Sequence, residues 1–250
     1  MKIICTDYDG TLNHNGIDDV KIAAIAKWRN AGNLFGVVSG RGIKSLLSII
    51  EDKNFEYDFL IANNGAIICD KQQNIIKEFR CKGSLAKPFI EDLFKWGCPF
   101  ANIDTYQSFM VIEDSSDLDE GEIRLEDVPD IEYFNQINTE LDTKEDAAEV
   151  VLKIKEKYYG VLVPLQNGEC IDITDFNVNK ANGIYALLEA LGASYDDVIA
   201  VGDNINDEAM IAEFRSYAMA NGVQMIKDLA DEITEGITEL IEKEMTSISC

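Results

Sequence analysis

Three short apolar runs, Ile3–Thr6, Leu34–Val38 and Phe59–Ala62, constrain the fold of this chain more than any other feature. Each is too short to be a helix, and the stretches between them carry apolar residues at helical spacing. After the first run, Asp18 is placed to cap a helix whose Val20, Ala23, Ala24 and Trp28 recur on one face, and Gly32 stops it. After the second, Ile43, Leu46, Leu47 and Ile50 mark another helix. The third run leads through Asn63-Asn64-Gly65 into Ala66-Ile67-Ile68, a turn signal that predicts a hairpin. Strand, helix, strand, helix, strand is the pattern of a parallel sheet with helices on both faces.

The character changes near Arg80. A helix is expected over 84–96 with Pro88 in its first turns, followed by strand-like pieces at 101–104 and 108–112. Between Glu113 and Glu132 ten acidic residues stand against one basic residue, Arg124, and the run reads as a solvated loop. A strand over 132–141 comes next. Thr143 then caps a helix with Ala147, Val150, Val151 and Ile154 as its stripe, ending at Gly160. Residues 161–165 and 170–173 bracket Asn167-Gly168, a hairpin signature. This middle third therefore reads as an α+β insert with an antiparallel sheet.

From Asn179 the alternation resumes. A helix carrying Ile184, Leu187, Leu188 and Leu191 stops at Gly192, and a strand at 198–201 ends in Gly202-Asp203-Asn204-Ile205-Asn206-Asp207. A helix through Met210, a strand near 217–220 and a C-terminal helix with Ile237, Leu240 and Ile241 complete the chain. The expected fold class is α/β: a parallel-sheet core formed by 1–80 and 178–250, interrupted by an inserted domain at 81–177.

Charge is distributed unevenly over these segments. Residues 1–80 hold 10 acidic and 10 basic side chains, 81–177 hold 22 and 8, and 178–250 hold 14 and 4, giving 0, -14 and -10, which sum to the net -24. Such a balance argues against nucleic acid as a partner, because phosphate backbones need basic patches. No apolar run approaches the roughly 18–20 residues of a membrane span, and no secretory leader is evident. The six cysteines form no C-x-x-C pair, and thiols scattered through apolar runs are expected in the core of a cytoplasmic protein in a reducing compartment. The aromatics Tyr106, Phe109, Tyr133 and Phe134 are expected to pack the sheet of the insert. The single histidine, His14, reads as a surface loop residue, which leaves no histidine-based triad or metal motif. No obligate protein partner is evident.

Four polar sites stand out: Asp7 with Asp9, Ser39 with Gly40, Lys180, and Asp203 with Asn206 and Asp207. Three of them follow the ends of separate apolar strands, and in an open parallel sheet those ends line one crevice. Carboxylates and a backbone carbonyl suit Mg²⁺, a serine hydroxyl and an open glycine N–H suit phosphate oxygens, and a lysine offsets repulsion between two anions. Each site alone has a bland reading: D-G-T as a turn, Asp203-x-x-Asn206-Asp207 as a helix cap, Lys180 as a solvated lysine. Their joint occurrence at strand ends favours function.

The motifs D-Y-D-G-T-L, S-G-R, N-N-G-A, N-K-A-N-G and G-D-N-I-N-D, taken in order, resemble the haloacid dehalogenase-like superfamily. The position of the insert is similar to that of the Cof-like branch, in which a large α/β cap follows the third strand of a Rossmann-like core. The resemblance implies an Mg²⁺-dependent phosphatase acting on a small phosphorylated metabolite, such as a sugar phosphate, through an aspartyl-phosphate. It implies Asp7 as nucleophile and Asp9 as acid and base, with Ser39, Gly40, Lys180 and Asn206 on the phosphoryl oxygens. The metal would lie on Asp7, the Asp9 carbonyl and Asp203, with Asp207 in support. Two positions depart from the family pattern: Tyr8 replaces a usual aliphatic residue, and Ala181 follows Lys180 where glycine is frequent. A sugar phosphomutase and a non-catalytic phospho-ligand-binding regulator are the rival readings. The net -14 of the insert predicts disfavour for leaving groups that carry further phosphates.

Overall fold

A computed structural model of the protein describes residues 1–53, 55–115 and 117–248, without the side chains of 247 and 248. The chain separates into two compact units, one formed by Met1–Lys77 and Asn179–Cys250, the other by Glu78–Val178.

The first unit begins with β1 (Ile3–Thr6), α1 (Asp19–Asn30), β2 (Leu34–Val38), α2 (Ile43–Lys53), β3 (Phe59–Ala62), β4 (Ile67–Asp70) and β5 (Ile75–Glu78). Its sheet takes in three later strands, described below. β1 pairs in parallel with β2, and β2 with β3, while β3 and β4 form the antiparallel hairpin. Every residue of β1 and β3 is buried regardless of parity, which requires cover on both faces of the sheet. The Asp18 carboxylate accepts the Lys21 N–H at 2.9 Å and caps α1. The buried face of α1 is Ala24, Ile25 and Trp28; Val20 is 64% exposed and Ala23 is also exposed, so the face predicted from spacing is rotated. Trp28 sets the true face, because its indole N–H donates to the Leu34 carbonyl at 2.8 Å.

The inserted unit carries β6 (Cys81–Lys82), α3 (Ala86–Lys95), β7 (Phe100–Asp104), β8 (Phe109–Glu113), β9 (Glu122–Arg124), β10 (Tyr133–Phe134), β11 (Gln136–Glu140), α4 (Lys144–Lys157), β12 (Leu162–Asn167) and β13 (Cys170–Asp175). Six of these strands form a sheet in the order β12-β13-β11-β7-β8-β9, and β6 pairs with β10. The pairings are antiparallel except β8 with β9, which is parallel and corrects the wholly antiparallel expectation. The acidic run is likewise more than a solvated loop. Glu122–Arg124 adds an edge strand and Val128 is buried, so the apolar residues among the acids anchor the segment while the carboxylates face water. Phe89, Ile90, Leu93, Phe134, Ile137 and Ile154 stand in its apolar core. Of the aromatics expected to pack the sheet, Phe134 is fully buried, whereas Phe109 is 51% exposed and Tyr106 and Tyr133 are half-buried. The Tyr133 ring lies under the Arg80 guanidinium, 3.8 Å from its carbon.

The chain returns to the first unit through α5 (Lys180–Leu191), β14 (Val198–Gly202), α6 (Glu208–Glu213), β15 (Arg215–Met219), α7 (Gln224–Leu229), β16 (Glu232–Thr234) and α8 (Ile237–Ile248). The completed eight-stranded sheet runs β16-β15-β14-β1-β2-β3-β4-β5, so β1 lies between β14 and β2. The parallel β1–β14 register runs from Ile3 with Val198 to Thr6 with Val201. Cys5, Cys69, Cys81 and Cys98 are buried free thiols, but Cys170 is exposed on β13, which corrects its placement in the core; Cys250 lies outside the described residues. Among the described residues, no helix is long and apolar enough to cross a membrane.

Candidate active site

At the end of β1 the Asp7 N–H continues the sheet by donating to the Val201 carbonyl of β14 at 2.9 Å. The chain then turns through Tyr8–Leu12, closed by the Leu12 N–H on the Asp7 carbonyl at 3.1 Å and the Asn13 N–H on the Tyr8 carbonyl at 2.9 Å. A glycine is required inside this turn. A Cβ on Gly10 would stand 2.4 Å from Asp203 Oδ2, where the carboxylate at the end of β14 already lies.

Asp7 is 5% exposed and Lys180 1%. The Lys180 ammonium donates to Asp7 Oδ1 at 2.7 Å and makes a second, shorter bond to Asp207 Oδ1. Lys180 owes its position to α5, whose first turn is capped by the Asn179 side chain on the Asn182 N–H at 2.9 Å. The other oxygen of Asp207 accepts the backbone N–H groups of Asp203 and Asn204 at 2.9 and 3.1 Å. Both Asp207 oxygens are thus committed to the protein, which suits a support for Lys180 and the β14 turn. Asp203 Oδ1 accepts the Thr11 hydroxyl at 2.7 Å.

Asp7, Asp203 and Asp207 each present an oxygen within 4.8 Å of the others. Two of these carboxylates share the Lys180 ammonium, and the third, Asp203, has the Thr11 hydroxyl. Burial pushes the Asp7 carboxyl above its ordinary value against the pull of Lys180, and the neighbouring Asp207 and Asp203 carboxylates push it further. Asp203 is raised for the same first reason. Burial disfavours the Lys180 ammonium, yet Asp207 and Asp7 together hold its pKa above the ordinary lysine value. The cluster is short of positive charge, and its all-oxygen donor set fits a hard divalent cation such as Mg²⁺.

Asp9 is held apart from this cluster. Its carboxylate is gripped by the Arg41 guanidinium, with Nε to Oδ2 at 2.6 Å and Nη2 to Oδ1 at 2.8 Å. Both side chains are substantially exposed, 46% for Asp9 and 39% for Arg41. Ser39 is buried at the end of β2, where its N–H donates to the Ile61 carbonyl at 2.8 Å and its Oγ accepts the Arg41 N–H at 3.2 Å. Gly40 follows it, half-buried. Asn206 is half-buried in the short turn Ile205–Asp207 that follows β14. His14 is half-buried in the loop after the turn, with its carbonyl bound by Lys21.

Tyr8, between the two aspartates, is 1% exposed. Its ring centroid lies 6.0 Å from the Arg41 guanidinium carbon. Burial raises the pKa of its phenol, as does the Asp9 carboxylate, against the opposing Arg41 charge.

Several residues that sequence reasoning left without a role hold this arrangement. Arg41 lay inside the S-G-R motif, but its partner 32 positions earlier gave no local signal. Asn221 donates to the Gly10 carbonyl at 2.9 Å across a separation of 211 residues. The Lys21 ammonium donates to the carbonyls of Leu12, His14 and Gly16 at 2.8, 3.0 and 2.7 Å, clamping the loop behind the turn. The Asn63 side chain accepts the Ile43 N–H at 3.2 Å and its backbone N–H meets the Arg41 carbonyl at 2.9 Å, bracing the Ser39-Gly40-Arg41 loop.

The chain is similar in sequence and in fold to known proteins. A 5-amino-6-(5-phospho-D-ribitylamino)uracil phosphatase from Bacillus subtilis is 27% identical over 240 residues, spanning 94% of this chain and 90% of its own length. A HAD/COF-like hydrolase from Plasmodium vivax superposes with a TM-score of 0.85 at 22% identity, covering 98% of this chain and 96% of that one. A HAD subclass IIB sugar phosphatase superposes with a TM-score of 0.80 at 20% identity, covering 97% and 98%. The family described as haloacid dehalogenase-like hydrolase matches residues 4–239. With that match across both segments of the sheet and the insert between them, the chain belongs to the haloacid dehalogenase-like hydrolases, as an enzyme of the phosphatase type.

Proposed function

We propose that the protein hydrolyses a small phosphomonoester, a sugar phosphate, with Mg²⁺ and through an aspartyl-phosphate on Asp7. The observation that carries this reading is the buried Asp7 carboxylate at the end of the central strand, fixed by Lys180 at 2.7 Å and flanked by Asp203 and Asp207. A carboxylate held this rigidly loses little orientational freedom on reaching the reactive geometry. The substrate class is supported by two relatives, one named for a phospho-D-ribityl compound and one as a sugar phosphatase.

In this mechanism an Asp7 oxygen forms a bond to phosphorus as the bond to the leaving oxygen breaks, and Asp9 gives its proton to that oxygen. Water then attacks phosphorus, Asp9 takes a proton from it, and the Asp7–phosphorus bond breaks to release inorganic phosphate. Asp9 can leave Arg41 at small cost, since exposed ion pairs contribute only about 0–1 kcal/mol. Lys180, Ser39, Gly40 and Asn206 would hold the phosphoryl oxygens. Asp7, Asp203 and the Asp9 carbonyl would hold Mg²⁺, which when bound supplies charge stabilisation for the phosphoryl oxygens. Asp207 serves by orienting Lys180. The inserted unit acts as the cap that selects the leaving group. The free thiols of Cys5, Cys69, Cys81 and Cys98 support a cytoplasmic setting.

A panel of phosphomonoesters scored for phosphate release tests the reading. Release should require Mg²⁺, stop with chelator, resume on re-addition, and fall by at least about 10³-fold in Asp7→Asn. Activity surviving in Asp7→Asn, with the variant folded, would remove the covalent route. Isomerisation of a hexose monophosphate without release would make the protein a phosphomutase instead.

A further inference from the structure

The loop of residues 220–223, between β15 and α7, reaches both of the turns that carry the proposed cation ligands. The Asn221 side chain donates to the Gly10 carbonyl at 2.9 Å, one peptide beyond the Asp9 carbonyl in the turn after β1. Two residues on, the Val223 N–H donates to the Asp203 carbonyl at 2.9 Å, in the turn after β14. Between them Gly222 leaves no room for a side chain, since a Cβ there would stand 2.9 Å from the Asp203 carbonyl oxygen and 3.0 Å from its Cα. The loop is itself anchored. The Ala220 N–H donates to the Thr234 carbonyl at 2.9 Å, and the Lys227 ammonium donates to the Ala220 carbonyl at 2.8 Å. The fold has little need of the Asn221 bond, because Asn221 is exposed and water can replace each partner of an exposed hydrogen bond. What the bond fixes is a spacing. Together with Val223 it ties the turn of Asp7 and Asp9 to the turn of Asp203, alongside the direct bond from Thr11 to Asp203.

We propose that this loop is a positioning clamp for the cation, in which Asn221 and Val223 hold the two ligand-bearing turns at the spacing that a small octahedral ion requires. This deepens the phosphatase reading and rests on it, because it takes Asp7, the Asp9 carbonyl and Asp203 as the ligands of Mg²⁺. Mg²⁺ demands near-ideal octahedral geometry with oxygens at roughly 2.0–2.1 Å, whereas Ca²⁺ accepts six to eight oxygens at roughly 2.3–2.6 Å in flexible arrangements. A slackened clamp therefore weakens Mg²⁺ more than Ca²⁺. Asn221 touches neither cation nor substrate, and acts only through the backbone of the first turn, as partners outside the ligand set do when they orient the ligands.

The test titrates full-length wild type and Asn221→Ala with Mg²⁺ and with Ca²⁺ by isothermal titration calorimetry, and records the metal-free Tm of each. Mg²⁺ should bind the variant about 10- to 100-fold more weakly than wild type. Ca²⁺ should stay within about threefold, because its looser geometry absorbs the change in spacing. The metal-free Tm should fall by less than about 4 °C, as loss of one exposed hydrogen bond predicts. A Mg²⁺ affinity unchanged within about threefold would overturn the proposal and leave the phosphatase reading standing. Equal losses for the two ions, or a larger fall in Tm, would overturn it too, by assigning Asn221 to the fold. A wild type that binds no Mg²⁺ removes the cation from the phosphatase reading itself, and this inference with it.

Discussion

The two units treat charge in opposite ways. The segments of the first unit, 1–80 and 178–250, hold 24 acidic and 14 basic side chains, net -10, and bring Asp7, Lys180 and Asp207 into a cluster in which all three are at most 5% exposed. The insert is more acidic for its length, with 22 acidic against 8 basic residues over 81–177, and turns most of that charge to water. Its buried Asp92 is answered at once, by Lys157 Nζ and the Tyr158 hydroxyl, each 2.5 Å from Oδ2. Net charge thus reports where solvent lies. Chemistry is found where a few charges are kept inside against the cost of desolvation, and there the count is left unbalanced.

That contrast is open to attack, first at Lys180. Lys180→Met leaves the Asp7 and Asp207 carboxylates buried without their cation and should cost about 3–5 kcal/mol, read by denaturant unfolding, together with phosphatase activity. Because the folded state holds the ammonium above its ordinary 10.5, the stabilisation is present in full below that pH and is lost only as pH rises through the folded value. A loss below about 1 kcal/mol would mean that the core tolerates its buried charge as easily as the insert does.

Two glycines sharpen the comparison. Gly65 has φ +109°, and a Cβ there would come within 2.2 Å of the Asn179 carbonyl oxygen, so Gly65→Ala should cost about 2–4 kcal/mol through strain and overpacking. Activity should fall with it, because Asn179 caps the helix that delivers Lys180. Gly168 has φ +63° in the hairpin of the insert, with nothing within 4 Å of such a Cβ. Gly168→Ala should therefore cost only about 1–2 kcal/mol, with no change in activity. Equal effects at the two positions would show that the backbone contact in the core carries no weight.

Within the insert, Asp92→Asn is expected to cost about 1–3 kcal/mol, visible by hydrogen exchange. Burial works against the Asp92 carboxylate, but Lys157 and Tyr158 outweigh it and hold its pKa below 3.8. Its stabilisation is therefore present above about pH 4 and fades as pH falls through the lower folded value. The variant should lose its difference from wild type in acid. A difference that persists there would assign the effect to packing.

Much of this architecture was legible because local and global signals agree. Ile3–Thr6, Leu34–Val38 and Phe59–Ala62 are strands over those same residues, and Asp18 and Thr143 cap the helices that their spacing announces. The rest depends on partners that spacing cannot show. β5 and β16 are short strands at the sheet edges, where few residues are buried to leave a pattern. The face of α1 follows the Trp28 bond to Leu34, which overrides apolar periodicity. In the site, Asp7 stands beside Asp203 and Asp207 because β1 and β14 are neighbours in the sheet, as strand-end reasoning anticipates, while Lys180 reaches them from the first turn of α5. Arg41, Thr11 and Asn221 work through side-chain bonds 32, 192 and 211 positions long, and no window of sequence contains both ends.

The pairing of β1 with β14 also sets an order on synthesis. The insert is one continuous stretch, Glu78–Val178, and all its strands exist once that stretch has left the ribosome. The strand that leads into Asp7 waits until Val198–Gly202 arrives before its second edge is covered. Domains fold as units during synthesis at about 5–20 residues per second. The nascent chain therefore holds a completed insert together with an open sheet edge for a second or more, and the three consecutive parallel strands β1, β2 and β3 carry that exposure until β14 arrives.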